Sequence, residues 1–260
     1  MKSCKLLTAV LSLLLLAPFA RAGKEVDRLL AEYGKVESAT CKIRRTKEGA
    51  AGKMKFLSRV YWTRENKLHA EKLTPVKQRT IVDGETLYQY TEGSNNKGFS
   101  RPIDELSEQM RVSLSYVPGT AMDHLLLLKG LEESELPPAP DGSRRVGIQT
   151  PSNYVVLGFD AQNRLTGIDF FKTAEMDNRF ADYDYSSFSE VLPGVWVPFT
   201  HTALLNRNNV EFKETVKVDR FVANQPIAES LFIPSNFFDK DIDFVDDFAK
   251  IFPEQTGNTD

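Results

Sequence analysis

Cysteine and histidine are scarce in this chain of 260 residues, which contains two cysteines and three histidines. Cys4 lies in an N-terminal segment that we expect to be cleaved, so the mature chain keeps Cys41 and has no internal disulfide. An exported protein without a disulfide depends on its hydrophobic core, and 17 phenylalanines indicate a substantial one. In the strand-like sequence Ala-Thr-Cys-Lys-Ile, we expect Cys41 to be a small buried hydrophobe.

Recognisable catalytic motifs are also missing. The sequence contains no Gly-x-Ser-x-Gly, His-Glu-x-x-His or Cys-x-x-Cys motif and no glycine-rich phosphate loop. His69, His124 and His201 are scattered, and none of them has the spacing of a metal ligand. Asp123 and His124 could form an acid/base pair in a secreted hydrolase, but a polar pair at the side of a helix is the simpler interpretation. We therefore predict no catalytic residue, no metal site and no cofactor.

An excess of positive charge is missing as well. The chain has 33 Lys and Arg against 36 Asp and Glu, which gives a formal net charge of −3. Three of the basic residues, Lys2, Lys5 and Arg21, fall in the segment expected to be cleaved. The mildly acidic remainder argues against nucleic acid as a partner and against simple electrostatic adhesion to anionic lipid.

Residues 1–22 have the three parts of an export signal. Lys2 and Lys5 give a positive start, residues 6–19 form a short apolar core, and Ala20-Arg21-Ala22 matches a signal-peptidase site. The apolar run is short for a membrane span, although an uncleaved anchor is the alternative. We expect cleavage after Ala22 and an exported protein. With no repeat or linker in the sequence, we expect one domain over 23–236 and an acidic helix and tail over 237–260.

The first half of the mature chain changes from a helical period to a strand period. An amphipathic helix is expected over 23–36, and a period of two from Ser38 to Tyr90 predicts antiparallel strands. Asp83-Gly84 is typical of a type I′ hairpin turn. Residues 92–101 have the composition of a loop.

The second half begins with helices and then returns to strands. Helices are expected over 102–114 and 120–131, and strands from Arg145 to Val222, with a hairpin loop at 160–164. Finally, apolar residues at steps of four and three among five aspartates predict an amphipathic helix near the C-terminus, from Phe238 to Phe252.

This order of elements favours a mainly β fold with helices, in which one curved antiparallel sheet has helices packed on one face. The helical middle would then form a lid, and an apolar cavity is left wherever lid and sheet do not interdigitate. A fully packed core is the alternative, which periodicity alone leaves open. Strand alternation and the apolar lid segment predict these residues as the cavity lining: Met54, Phe56, Val60, Trp62, Leu68, Leu87, Leu125 and Leu127.

Several short motifs occur together along the chain. They are Trp62-Thr-Arg64, Pro75 after the strand-like 68–73, Ile81-Val82-Asp83-Gly84, Leu87-Tyr88-Gln-Tyr90, 183–188, Leu192-Pro-Gly-Val-Trp-Val-Pro198 and 227–234. In this order they resemble the strand pattern of the periplasmic lipoprotein carriers, the LolA/LolB family, and of longer lipoprotein-sorting homologues. The resemblance covers most of the mature chain, although each motif is weak alone.

The resemblance implies an incomplete barrel of about eleven antiparallel strands under a helical lid, with a site for lipid or lipoprotein acyl chains. It implies a non-enzymatic carrier that works with an inner-membrane release complex and an outer-membrane acceptor, and we expect a monomer. Family carriers have an arginine that hydrogen-bonds to the lid and gates ligand entry, and Arg64 is the best match. Glu65 departs from the family pattern, which has proline there, so an ordinary surface arginine is the alternative interpretation.

Two functions therefore stay open on the same fold. One is the carrier. The other is an envelope sensor or interaction module that binds a partner protein, for which the acidic C-terminal helix would be the docking element.

Overall fold

The structure, a computed structural model, describes residues 24–50, 52–207 and 210–251. The predicted export signal over 1–22 and the last residues of the acidic tail, 252–260, lie outside the described residues.

Three α-helices and four short 3₁₀ helices are present in the described part of the chain, and the helices predicted in the first and middle regions are confirmed. None of the helices described is long and apolar enough to cross a membrane. The α-helices are α1 (Lys24–Tyr33), α2 (Glu108–Leu114) and α3 (Met122–Leu128), and the 3₁₀ helices span Ile103–Glu105, Glu229–Phe232, Pro234–Asn236 and Phe248–Lys250.

The strands lie where a period of two or a short apolar run predicts them, apart from three that are discussed below. Their bounds are β1 (Ser38–Gly49), β2 (Gly52–Thr63), β3 (Lys67–Thr74), β4 (Gln78–Asp83), β5 (Thr86–Thr91), β6 (Lys97–Pro102), β7 (Glu133–Leu136), β8 (Arg144–Gln149), β9 (Tyr154–Phe159), β10 (Leu165–Phe171), β11 (Arg179–Leu192), β12 (Val195–Arg207), β13 (Val210–Ala223) and β14 (Asp243–Val245).

All the described strands belong to one sheet with the order β14-β6-β5-β4-β3-β2-β1-β13-β12-β11-β10-β9-β8-β7. Two meanders, β1 to β6 and β7 to β13, are joined by the antiparallel pairing of β1 with β13. The helical segment links β6 to β7, so it must pass across the sheet. The large open curved sheet confirms the predicted sheet with a helical cover, but it is not closed into a barrel within the described residues.

The predicted count of about eleven strands was wrong, because the described residues form fourteen. Three strands that local patterns did not predict account for the difference. β6 lies almost wholly in the segment expected to be a loop, β7 has four residues, and β14 falls inside the expected C-terminal helix. Each of these strands forms because its backbone pairs with unpaired main-chain groups of a neighbouring strand. Such pairing cannot be predicted from the local hydrophobic period.

The hairpin between β4 and β5 is confirmed, but its turn is not type I′. Gly84 has a φ of +108°, and it alone of the Asp83-Gly84 pair has a positive φ. The Asp83 carboxylate instead accepts hydrogen bonds from the main-chain N–H groups of Glu85 (2.9 Å) and Thr86 (2.8 Å). The aspartate therefore stabilises the turn through its side chain.

One face of the sheet packs against the helices and is called the lid face below. Trp62, Leu68, Val82 and Leu87 lie on it in register across β2 to β5. The main core cluster lies between the sheet, α1 and α3, and a smaller cluster lies between β4 to β6 and α2. The smaller cluster consists of Val82, Leu87, Phe99, Leu106, Leu114 and Ile251.

In its described part, which ends at Ile251, the C-terminal segment does not form the predicted amphipathic helix. Phe244 lies in β14, which pairs in parallel with β6, and its ring packs edge-on against Tyr88. Phe248 stacks on Phe99 with ring centroids 4.1 Å apart. Earlier in the segment, Phe237 packs against His69 on the opposite face of the sheet. Aspartate is a poor helix former, and the edge of β6 gives the backbone a partner, so the segment wraps around that edge instead.

Candidate functional site

A groove runs along the lid face where β1, β2 and β13 meet the lid. Its first part, the inner pocket, has a volume of about 390 Å³ and lies beneath residues 113–124, which comprise the end of α2, the α2–α3 connection and the start of α3. Its apolar walls come from both layers and include Val60, Trp62, Leu68, Leu114 and Val117. The lid and the sheet therefore do not interdigitate completely, which answers the question that periodicity left open.

Two further pockets continue the groove in opposite directions. The side pocket, about 380 Å³, runs towards β4 past Phe56 and Lys72. The outer pocket, about 640 Å³, runs towards β10 and β11. Its apolar lining consists of Met54, Phe170, Phe180, Ala181, Leu205 and Phe212. Met54 is 52% exposed and Phe212 is 42% exposed, so this part of the groove presents apolar surface to water.

The roof of the inner pocket is lightly attached. Leu114 is the one buried side chain of α2. The indole Nε1 of Trp62 donates a hydrogen bond of 2.7 Å to the main-chain oxygen of Leu114, and Trp62 is itself fully buried. A helix held by one buried side chain and one such bond is expected to open more easily than the core.

An ion-paired cluster lies where the three pockets meet. The Glu214 carboxylate lies 3.0 Å from Arg45 Nε and 3.3 Å from Lys47 Nζ. The sheet register creates this cluster, because Lys47 is opposite Glu214 and Arg45 is opposite Val216 across the β1–β13 pair. Arg45 lines the inner and side pockets, Lys47 the side and outer pockets, and Glu214 the inner and outer pockets.

Two histidines border the same region, and burial favours the neutral form of both. Burial and the nearby Arg45 guanidinium lower the pKa of His201 from 6.5 to about 4. Burial also lowers the pKa of His124, whose ring lies 4.2 Å from that of Tyr183 and 5.6 Å from that of Phe170. His124 lines both the inner and the outer pocket and so forms part of the wall between them.

No protein-family model matches the sequence, and no curated protein matches it either. Solved structures do match its fold. An outer membrane lipoprotein-sorting protein domain from Vibrio parahaemolyticus has a TM-score of 0.53 and 10% identity, over 82% of this chain and 97% of that one. A LolA superfamily protein from Nitrosomonas europaea has a TM-score of 0.50 and 12% identity, over 85% and 99%. The chain has a LolA-like fold.

A third structure with the same overall fold is a DUF1329 family protein from Desulfovibrio piger. It has a TM-score of 0.55 and 9% identity, over 82% of this chain and 96% of that one. At these identities the similarity establishes the LolA-like fold and leaves the ligand open. It confirms the resemblance carried by the short motifs between Trp62 and Pro234.

Within this LolA-like fold, five of the eight residues predicted to line a cavity do line the groove. They are Val60, Trp62 and Leu68 in the inner pocket, Phe56 in the side pocket and Met54 in the outer pocket. They share the lid face because they lie on two neighbouring strands with alternating side chains. Their contact with a ligand stays a prediction.

The other three predicted residues lie elsewhere. Leu87 belongs to the smaller core cluster, and Leu125 is fully buried in the main core. Leu127 is 73% exposed on α3, so its predicted position in the cavity lining was wrong. Residues two apart on a helix point in different directions, and Leu125 takes the buried face.

Arg64, the predicted gate, contacts the end of α1 rather than α2 or α3. Its Nη2 donates hydrogen bonds to the main-chain oxygens of Tyr33 (3.2 Å), Gly34 (3.0 Å) and Val36 (2.7 Å). A cation at these carbonyls satisfies the C-terminal end of the helix and interacts favourably with its dipole. A gating role for Arg64 therefore stays a prediction.

The polar cluster is the part of the site that sequence reasoning missed. The sequence of β13 indicates it, because Glu214 lies between Phe212 and Val216 in the alternating set of residues that faces the lid. On β1, Arg45 and Lys47 lie on the same face as Ile43. Reading each strand for charged residues on its apolar face would have found all three.

Proposed function

We propose that this protein is a non-enzymatic periplasmic carrier that binds lipid or lipoprotein acyl chains in the groove between the lid face and the α2–α3 connection. The observation that carries the proposal is the groove itself, with apolar side chains from both layers along a LolA-like sheet. The export-signal pattern over 1–22 supports the location. Two proteins of similar fold are described as a lipoprotein-sorting domain and a LolA superfamily protein.

Burial of apolar surface supplies the binding energy. Each methylene moved from water into an apolar pocket contributes about 0.8 kcal/mol. Met54 and Phe212 are exposed in the groove, so a bound chain would also remove their surfaces from water. Volumes of 390 and 640 Å³ lie within the ordinary range of small-ligand sites.

Release requires the groove to open. The lightly attached α2 and the connection that follows it are the elements that would move, because Leu114 and the Trp62 hydrogen bond hold α2 to the sheet. In this proposal the monomeric carrier receives cargo from an inner-membrane release complex and passes it to an outer-membrane acceptor. An acceptor needs only to compete for the acyl chain while the lid is open.

Native mass spectrometry of the mature protein, purified from the periplasm without detergent, tests the proposal. A bound phospholipid, fatty acid or acylated peptide is the expected result, and Phe212→Asp and Phe56→Asp are expected to abolish uptake. Ile233→Asp is the matched control, because Ile233 is 46% exposed and lies outside the three pockets. A folded wild-type protein that takes up no added lipid or acylated peptide would contradict the carrier function and favour the interaction module.

A further inference from the structure

The ion-paired cluster of Arg45, Lys47 and Glu214 is unbalanced in charge. Glu214 is the one carboxylate paired with Arg45 and Lys47 in the part of the chain that the structure describes. Two cations therefore share one anion. The side chains of Arg45 and Lys47 are about half exposed, whereas Glu214 is more buried, so the cations face the open part of the groove.

Two neighbouring polar residues do not remove this imbalance. Asp123 also lines the inner pocket, but no ion pair joins it to Arg45 or Lys47 in the described residues. Because burial holds the pKa of His201 at about 4, the imidazole is neutral at neutral pH and adds no charge. The contact between Glu214 and Arg45 is at Nε, and the described residues include no hydrogen bond from the terminal nitrogens of the Arg45 guanidinium. A guanidinium with free terminal nitrogens is suited to bidentate binding of a phosphate or carboxylate.

The position of the two cations matters as much as their charge. Arg45 and Lys47 lie next but one to each other on β1 and point to the same face. Apolar walls flank them on both sides, with Val60 and Leu68 in the inner pocket and Leu205 and Phe212 in the outer pocket. A ligand that fits this arrangement has a charged group with an apolar chain beside it.

We propose that Arg45 and Lys47 bind the anionic head group, a phosphate or a carboxylate, of an amphiphile whose acyl chain lies in the adjoining apolar pockets. This inference rests on the proposed function and specifies its ligand class. Glu214 positions the two cations and limits the net charge of the cluster, so that one anionic group balances it.

A matched pair of amphiphiles tests the inference. Oleoyl lysophosphatidic acid and monooleoylglycerol have the same acyl chain and glycerol and differ in one phosphate. Titrated below their critical micelle concentrations, the phosphate-bearing amphiphile is expected to bind about tenfold more tightly or better, since one charge-assisted hydrogen bond is worth roughly that factor. The preference should decrease as salt is added.

Two double variants, one on each face of β1, test whether Arg45 and Lys47 cause the preference for the phosphate-bearing amphiphile. The double variant Arg45→Gln/Lys47→Gln is expected to reduce the preference to near one. The control Lys42→Gln/Arg44→Gln removes the same charge from the same strand, where Arg44 pairs with Asp219 away from the groove, and should keep the full preference. If the double variant does not fold, the single variants Arg45→Gln and Lys47→Gln are measured instead. Each of them should lose part of the preference for the phosphate-bearing amphiphile.

Four results would overturn the inference. Equal affinity for the two amphiphiles in the wild-type protein, or a preference that survives loss of Arg45 and Lys47, would remove the head-group site while leaving the carrier function intact. Inorganic phosphate that binds as tightly as lysophosphatidic acid would assign the site to a free anion rather than a lipid head group. Binding of neither amphiphile would contradict the proposed function, and this inference with it.

Discussion

The indole of Trp62 on β2 donates a hydrogen bond of 2.7 Å to the main-chain oxygen of Leu114 at the end of α2. This bond joins the lid to the strand that lines the inner pocket. Both residues are buried, so the bond is not exchanged readily for one with water. We therefore expect it to influence how easily α2 separates from the sheet.

Trp62→Phe tests this relationship, because it keeps an aromatic ring and removes the donor. The buried oxygen of Leu114 is left unpaired, which should lower the free energy of unfolding by about 1–3 kcal/mol. Hydrogen exchange should accelerate over 108–120 more than in β8 and β9. Uniform acceleration along the chain would show a general loss of stability and contradict a specific role in the lid.

Arg64→Gln tests the contact between Arg64 and the end of α1. The variant removes the cation from three main-chain oxygens and from the pair with Glu37 at 3.2 Å. We expect a loss of about 1 kcal/mol in urea unfolding, together with faster hydrogen exchange in α1. An unchanged midpoint would contradict this capping role.

The same variant tests the predicted gate. If Arg64 gates the lid, a bound fluorescent fatty acid should dissociate faster from Arg64→Gln than from a variant of equal stability changed elsewhere. Equal dissociation rates would leave Arg64 with its role at α1 alone.

Gly98→Ala tests how the C-terminal segment packs on β6. A Cβ at Gly98 would lie 2.5 Å from the ring of Phe244, so the ring and β14 must shift. We expect trypsin to cleave after Lys240 faster than in the wild-type protein. Gly158→Ala is the control, because its Cβ would meet its nearest neighbour at 3.6 Å, an ordinary contact. Unchanged cleavage in Gly98→Ala would contradict close packing of the segment.

His201 predicts a pH dependence of stability. Its pKa is lowered to about 4 in the folded protein from an ordinary 6.5, so the unfolded state binds more protons between these values. The contribution of His201 is fully present above pH 6.5 and is lost as the pH falls towards 4. We expect His201→Gln to have a smaller loss of stability than the wild-type protein between pH 6.5 and 4, measured by thermal unfolding. Parallel curves for the two proteins would contradict the lowered pKa.

Sequence patterns located most of the fold because its elements are strongly periodic. The hairpin loop at 160–164 between β9 and β10 follows from an aspartate and an asparagine between two apolar runs. Cys41 was expected to be a small buried hydrophobe, and burial raises the pKa of its thiol to about 12. These features depend on residues close together in the chain, where local preference and final structure agree.

The C-terminal segment shows where local patterns fail. Apolar steps of four and three between Phe238 and Phe252 are typical of a helix. In the described part of this segment, however, the apolar residues pack separately against different strands instead of along one helix face. Phe244 packs against Tyr88, and Phe248 against Phe99. The same spacing is compatible with a helix and with an extended segment. The extended segment forms because its backbone can pair with the edge of β6.

The sequence by itself determined a sheet with a helical cover and the alternation that places Val60 and Trp62 on the packed face, whereas the export signal over 1–22 stays a prediction. Only the tertiary structure decided that β1 pairs with β13, and this pairing brings Arg45 and Lys47 to Glu214 from opposite ends of the chain. The physical reason is that alternation fixes which face a side chain takes, whereas its neighbours across the strands depend on a register set by the whole sheet.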